Sequence, residues 1–81
     1  MITMKLLVRN LSRTTTEQEV RVLFSEFGEV KACNLVLDQV TGQSKGFAFV
    51  EMPNLEEAKQ AISKLHLTDV AKNKIRVKVA Q

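Results

Sequence analysis

Lys45-Gly46-Phe47-Ala48-Phe49-Val50-Glu51-Met52 reads as a strand with two unlike faces. Strand residues two apart share a face. One set, Gly46, Ala48, Val50 and Met52, is small and apolar, fit to pack beneath helices. The other places Lys45 and Glu51 beside Phe47 and Phe49. A face that carries two charged residues is not a core face, so this strand holds two aromatic rings side by side in water. Such a pair on an open sheet is costly unless it binds something. The competing reading is a register slip of one residue, which would bury the Phe pair instead.

Working outward, Asp38-Gln39-Val40-Thr41-Gly42 is turn chemistry, with Gly42 able to take positive φ. Before it, Val30 to Leu37 reads as a strand, with Val30, Cys33, Leu35 and Leu37 inward, an irregularity near Ala32, and Asn34 and Val36 on the other face. Two strands joined by a turn make an antiparallel hairpin. Upstream, Thr16 and Glu19 have the spacing of a reciprocal capping box. Val20, Leu23, Phe24 and Phe27 then form an i, i+3, i+4, i+7 stripe, and Gly28 stands where a left-handed helix end is wanted. Leu6-Leu7-Val8 is a short first strand running into a polar stretch, Asn10 to Thr16. Downstream, Pro53 closes the Phe strand. Asn54 with Glu57 repeats the capping spacing, and Ala58, Ala61, Ile62 and Leu65 repeat the apolar stripe. A polar loop follows, and Ile75 and Val77 alternate with Arg76 and Lys78 in a last strand.

The order β-α-β-β-α-β predicts an α+β, ferredoxin-like two-layer sandwich: a four-stranded antiparallel sheet with two helices on one face. Nothing in the chain is left to cover the other face. That face gathers Lys5, Leu7 and Arg9 from the first strand, Asn34 and Val36 from the second, Lys45, Phe47 and Phe49 from the third, and Arg76 and Lys78 from the last. Glu51 is the only acid among them, whereas Glu17, Glu19, Glu26, Glu56 and Glu57 fall on the helix layer. Basic groups interleaved with rings are the composition of a platform for single-stranded nucleic acid.

Length and composition narrow the alternatives. Eighty-one residues, 44% hydrophobic and 26% charged, with net charge +3, fit one small globular domain, residues 1–81 with its core at about 4–80. Cys33 is the single cysteine, which excludes an internal disulfide and a Cys-rich zinc site; it reads as a small core residue. No apolar run spans a membrane, and Met1 to Lys5 lacks a signal peptide's apolar stretch, so a cytoplasmic setting is expected. His66, the single histidine, reads as a solvated residue at the end of the second helix. No nucleophile–base–orienter set is visible, Lys45 precedes Gly46 rather than following a phosphate-binding glycine loop, and neither catalysis nor a cofactor is expected. Of the four aromatics, all Phe, two belong to the core and two to the open face.

The octamer from Lys45 to Met52 resembles the signature of the RNA recognition motif family, departing only at Met52, where an aromatic is usual. Leu6-Leu7-Val8-Arg9-Asn10-Leu11 is similar to that family's hexamer. Thr16 to Glu19, Leu23-Phe24 with Phe27-Gly28, Asp38 to Ser44, and Glu57-Ala58 with Ala61-Ile62 extend the resemblance along the chain. Among family members, the short chain looks most like the small single-domain ones of bacteria. The resemblance implies that Phe49 and the Leu7 position stack successive bases, that Phe47 packs against sugars and that Lys45 pairs with a phosphate. Leu7 stands where an aromatic is usual, so one ring is missing. Arg9 replaces a common small residue and adds a charge or a planar group. The loop before the last strand lacks the usual glycine; Lys72-Asn73 stands there, with Asn73 able to take a left-handed backbone. The implied partner is single-stranded RNA or single-stranded DNA, bound by a monomer. The rival reading is a protein-binding module that uses Leu7, Val36, Phe47 and Phe49 for a peptide or a second copy.

Overall fold

Both helices start where a side chain satisfies their free amides. In the computed structural model, which describes residues 3–80, helix α1 (Glu17–Ser25) carries a complete capping box. The Thr16 amide donates to Glu19 Oε1 at 2.8 Å and the Glu19 amide to Thr16 Oγ1 at 3.2 Å. Helix α2 (Leu55–Leu65) has only one arm of that device: the Glu57 amide donates to Asn54 Oδ1 at 3.1 Å. The Glu57 carboxylate turns away and accepts instead from the Glu29 amide at 3.3 Å. This explains Gly28. Its φ of +158° is extended backbone, not the left-handed helix end expected, and α1 stops three residues earlier at Ser25. A Cβ at Gly28 would collide with the Glu57 side chain, so the glycine lets the segment after α1 pass close to α2.

The strands are β1 (Met4–Arg9), β2 (Ala32–Leu37), β3 (Ser44–Met52) and, after α2 and a short ribbon of β4 (Asp69–Val70) and β5 (Asn73–Lys74), β6 (Arg76–Val79). β1, β2, β3 and β6 form an antiparallel sheet in the order β2-β3-β1-β6. The molecule is therefore an α+β, ferredoxin-like sandwich, with both helices on one sheet face. Its core joins Leu6, Val8, Cys33, Ala48, Val50, Ile75 and Val77 of the strand layer to Val20, Phe24, Ala58, Ala61 and Leu65 of the helices. Fully burying a side chain of the Val, Leu, Ile or Phe class contributes about 1.5–3 kcal/mol. Leu11, in the stretch expected to be polar, is also buried; its amide donates to the Gly46 carbonyl at 2.8 Å.

Three expectations need correction. The irregularity of β2 is not near Ala32, which pairs regularly with Glu51, but between Leu35 and Leu37. There Val36 of β2 faces Lys45, Gly46 and Phe47 of β3, between the Leu35–Ala48 and Leu37–Ser44 pairs. Alternation by two holds only along an unbroken ladder, and Leu37, expected inward, is 50% exposed. The polar loop contains the β4–β5 ribbon. Its left-handed residues are Ala71 (φ 51°) and Lys72 (φ 70°), the pair a two-residue hairpin turn requires, not Asn73, which lies in β5. Phe27 packs on the core from beyond the end of α1, not from its last turn.

Candidate functional site

Strand pairing sets the open face out in rows. Asn34, Phe49, Leu7 and Lys78 are successive neighbours across all four strands of the sheet. Adjacent strands lie about 4.8 Å apart, so this row presents a ring and an aliphatic side chain at neighbouring stations. A row on one side contains Ala32, Glu51 and Lys5. On the other side lie Phe47 and the directly opposed pair Arg9 and Arg76. The sequence-predicted residues Lys5, Leu7, Arg9, Asn34, Phe47, Phe49, Arg76 and Lys78 thus come together on one face; Lys45 joins Phe47 and Arg9 in lining a cleft at its end, and Val36 stands at the β2 irregularity beside them. Lys5, Arg9, Asn34, Lys45, Arg76 and Lys78 are exposed, and Leu7, Val36, Phe47 and Phe49 are half-buried.

The reason for the half-burial is geometric. Phe47 and Phe49 meet edge to face, with ring centroids 6.2 Å apart and planes at 88°. This arrangement suits two quadrupoles and leaves ring surface open. Lys5 Nζ sits 4.8 Å from the Phe49 centroid, a cation–π contact over the ring. Glu51 stands directly across from Lys5 on β3.

Gly46 is the hinge of the site. Its φ of +87° is left-handed, and a Cβ there would stand 3.2 Å from the Leu11 carbonyl oxygen. Glycine lets β3 pass close to the β1–α1 loop while keeping Phe47 aimed at the open face. Arg13 closes over the same crossing, its Nη1 donating to the Ser44 carbonyl at 3.1 Å. Asn10, with φ 60°, donates from Nδ2 to the Lys74 carbonyl at 2.8 Å, and Asn73 Nδ2 donates to the Asn10 carbonyl at 3.3 Å. These ties enclose a cleft of about 490 Å³ at the end of the sheet, lined by residues that include Arg9, Asn10, Arg13, Lys45, Phe47 and Asn73. Asn10, Arg13 and Asn73 were not among the residues read from sequence as the site. Loop residues follow no periodicity, and the local signal at Asn10 was its residue type, since asparagine tolerates the left-handed backbone it adopts at the end of β1.

The remaining chemistry-bearing groups are structural. Cys33 is buried; burial pushes its thiol above the ordinary range, against a smaller opposing pull from Arg21, and Sγ points to the Glu17 carbonyl at 3.7 Å. A thiol held protonated is a poor nucleophile. His66 is exposed, but it is more than a solvated helix end. Its Nδ1 accepts a hydrogen bond from the Val77 amide at 3.0 Å, on the free edge of β6. Glu17 does the same at the opposite edge, where Oε2 accepts from the Leu35 amide of β2 at 3.1 Å. Both outer strands therefore have an outward amide occupied by a side chain, which blunts edge-to-edge pairing.

With this geometry in place, the comparisons identify the class. The model of the RNA recognition motif family matches residues 6–76, and the chain belongs to that family. Human transformer-2 protein homolog alpha is 39% identical over 70 residues, which are 86% of this chain and 25% of that protein. The chain thus spans about a quarter of the length of this curated relative. The crystal structure of RNA binding protein PG1 superposes with a TM-score of 0.92 at 34% identity, over 95% of this chain and 93% of that one. A Sex-lethal protein/RNA complex superposes with a TM-score of 0.90 at 33% identity, over 95% of this chain and 47% of that one.

Proposed function

We propose that this protein binds single-stranded RNA on the open face of its sheet and performs no catalysis. The observation that carries the reading is the Phe47–Phe49 pair, half-exposed and edge to face, in a field of Lys5, Arg9, Lys45, Arg76 and Lys78. The RNA bound by the similar Sex-lethal protein supports the choice of ligand. A base stacks on Phe49 once Lys5 swings from the ring to a phosphate. Phe47 packs against the neighbouring sugar, and Lys45 and Lys78 meet the backbone. Leu7 offers the next base an aliphatic surface in place of a ring, and Asn34 and Val36 border the same row. A stacked base contributes about 1–3 kcal/mol, so one missing ring weakens binding by about ten- to a hundredfold. Binding is accordingly micromolar, salt-sensitive and weakly selective for sequence.

Titration of labelled U-rich, A-rich and mixed oligonucleotides tests this, with wild type and Phe49→Ala compared at two salt concentrations. The variant loses affinity for every sequence; equal affinity of the two proteins would sink the platform. Amide shifts in the same titration fall on β1, β2, β3 and β6. Shifts confined to the helices would point to the protein-binding alternative, which places a peptide or a second copy on Leu7, Val36, Phe47 and Phe49.

A further inference from the structure

Arg9 and Arg76 stand directly opposite each other on β1 and β6. Directly opposed strand residues have Cβ atoms about 4.5–5.5 Å apart, and like charges at that spacing destabilise the sheet. Among the described residues neither guanidinium has a carboxylate or carbonyl partner, and both are exposed. Small apolar or oppositely charged side chains would serve the sheet better here. The backbone is held on both sides of the pair: the Val8–Val77 rung precedes it, and just beyond it Asn10 Nδ2 donates to the Lys74 carbonyl (2.8 Å) and Asn73 Nδ2 to the Asn10 carbonyl (3.3 Å). The ends of β1 and β6 cannot splay to relieve the repulsion. The neighbouring cleft adds Lys45 to its lining and contains no acidic residue.

We propose that Arg9 and Arg76 form a two-arginine clamp for one internal phosphodiester of the bound strand, beside the ring of Phe47. The clamp rests on the RNA-binding reading and names how the chain offsets the ring absent at Leu7. Two planar forks facing across one strand spacing match the oxygens of a single phosphate, each donating in-plane hydrogen bonds. The anion also removes the repulsion, so the binding energy includes relief of a cost the free protein carries. A pair held for sheet stability would behave oppositely, since removing it would lower stability.

The test uses a labelled single-stranded RNA octamer without terminal phosphates, titrated from low to moderate salt. Arg9→Gln and Arg76→Gln each weaken binding about tenfold at low salt, as loss of a charge-assisted hydrogen bond predicts. Each lowers the slope of log affinity against log salt by about 0.7, one phosphate's share. The double variant falls little further than either single one, because both arginines hold the same phosphate. Melting of the free protein separates this from a folding defect: each single variant melts at or above the wild-type temperature. Arg76→Lys keeps the salt slope and loses part of the affinity. Wild-type affinity in both glutamine variants, with Phe49→Ala still impaired, overturns the clamp and leaves the platform standing. Wild-type affinity in all three removes the platform as well. Lost affinity at an unchanged salt slope assigns the arginines to bases and overturns the phosphate contact.

Discussion

The two faces of β3 are built from one strand yet obey different rules. Toward the helices, Gly46, Ala48, Val50 and Met52 are buried, and every atom there is fixed by neighbours. Toward solvent, Phe47, Phe49 and Glu51 are half-buried and Lys45 is exposed, with each other and the outward residues of β1 and β2 as their neighbours. Packing at interior density makes the first face intolerant of lost volume. The second face contributes little to stability, so its composition is free to serve a ligand. The contrast implies that stability and binding separate by substitution, position by position along a single strand.

The largest effect expected is on the inner face. Leu6, fully buried opposite Val50, loses about 2–5 kcal/mol on change to Ala, and melting falls by about 10 °C or more, read by circular dichroism. Phe49→Ala is its counterpart: affinity drops about ten- to a hundredfold while melting moves by a few degrees. Comparable melting losses in the two variants would break the division of faces.

Gly46 is where the division fails by design, because its backbone serves both sides. Gly46→Ala forces a Cβ into left-handed backbone against the Leu11 carbonyl, a cost of about 1–3 kcal/mol. Both melting temperature and oligonucleotide affinity fall together, and a fall in only one would show that Phe47 is aimed by something other than this crossing. Leu7→Tyr sharpens the contrast from the other direction. It restores a ring directly beside Phe49, raises affinity about tenfold and leaves melting within a few degrees of wild type.

The smallest effect belongs to the turn that joins β2 to β3. Asp38 Oδ1 accepts from the Thr41 amide at 3.0 Å and the Val40 amide at 2.8 Å. The Thr41 bond first, then that of Val40, holds its carboxyl below the ordinary 3.8. A lowered folded value means the turn's stabilisation is complete above the ordinary value and is lost as pH falls through the folded one. An NMR titration of the Asp38 carboxyl and the Val40 and Thr41 amides should show a midpoint below 3.8, with RNA affinity unchanged down to that pH. A midpoint at or above it contradicts the turn as described.

Much of this was legible from residue order. The alternation of β3 located both faces, and the Thr16–Glu19 box and the two apolar stripes located the helices, because period and capping depend on neighbours within a turn or two. The predicted face residues on the unbroken ladder do share one side, since side-chain direction in a strand is set by parity alone. The failures share a cause. Leu37 is out because a bulge formed by Gly46 breaks the ladder, and a bulge depends on two strands at once. Gly28 is a glycine for the sake of Glu57, twenty-nine residues later, whose side chain occupies the space a Cβ would need. His66 caps β6 because the chain returns there after α2 and the ribbon.

By itself, then, the sequence determined the family, the order of elements and the two faces, all of which follow from local periodicity. Tertiary structure alone decided which residues meet across strands. It set Leu7 against Phe49, laid Lys5 over that ring and brought Arg9 opposite Arg76. Register between strands distant in sequence is fixed by the whole core packing at once, so no stretch of the chain contains it.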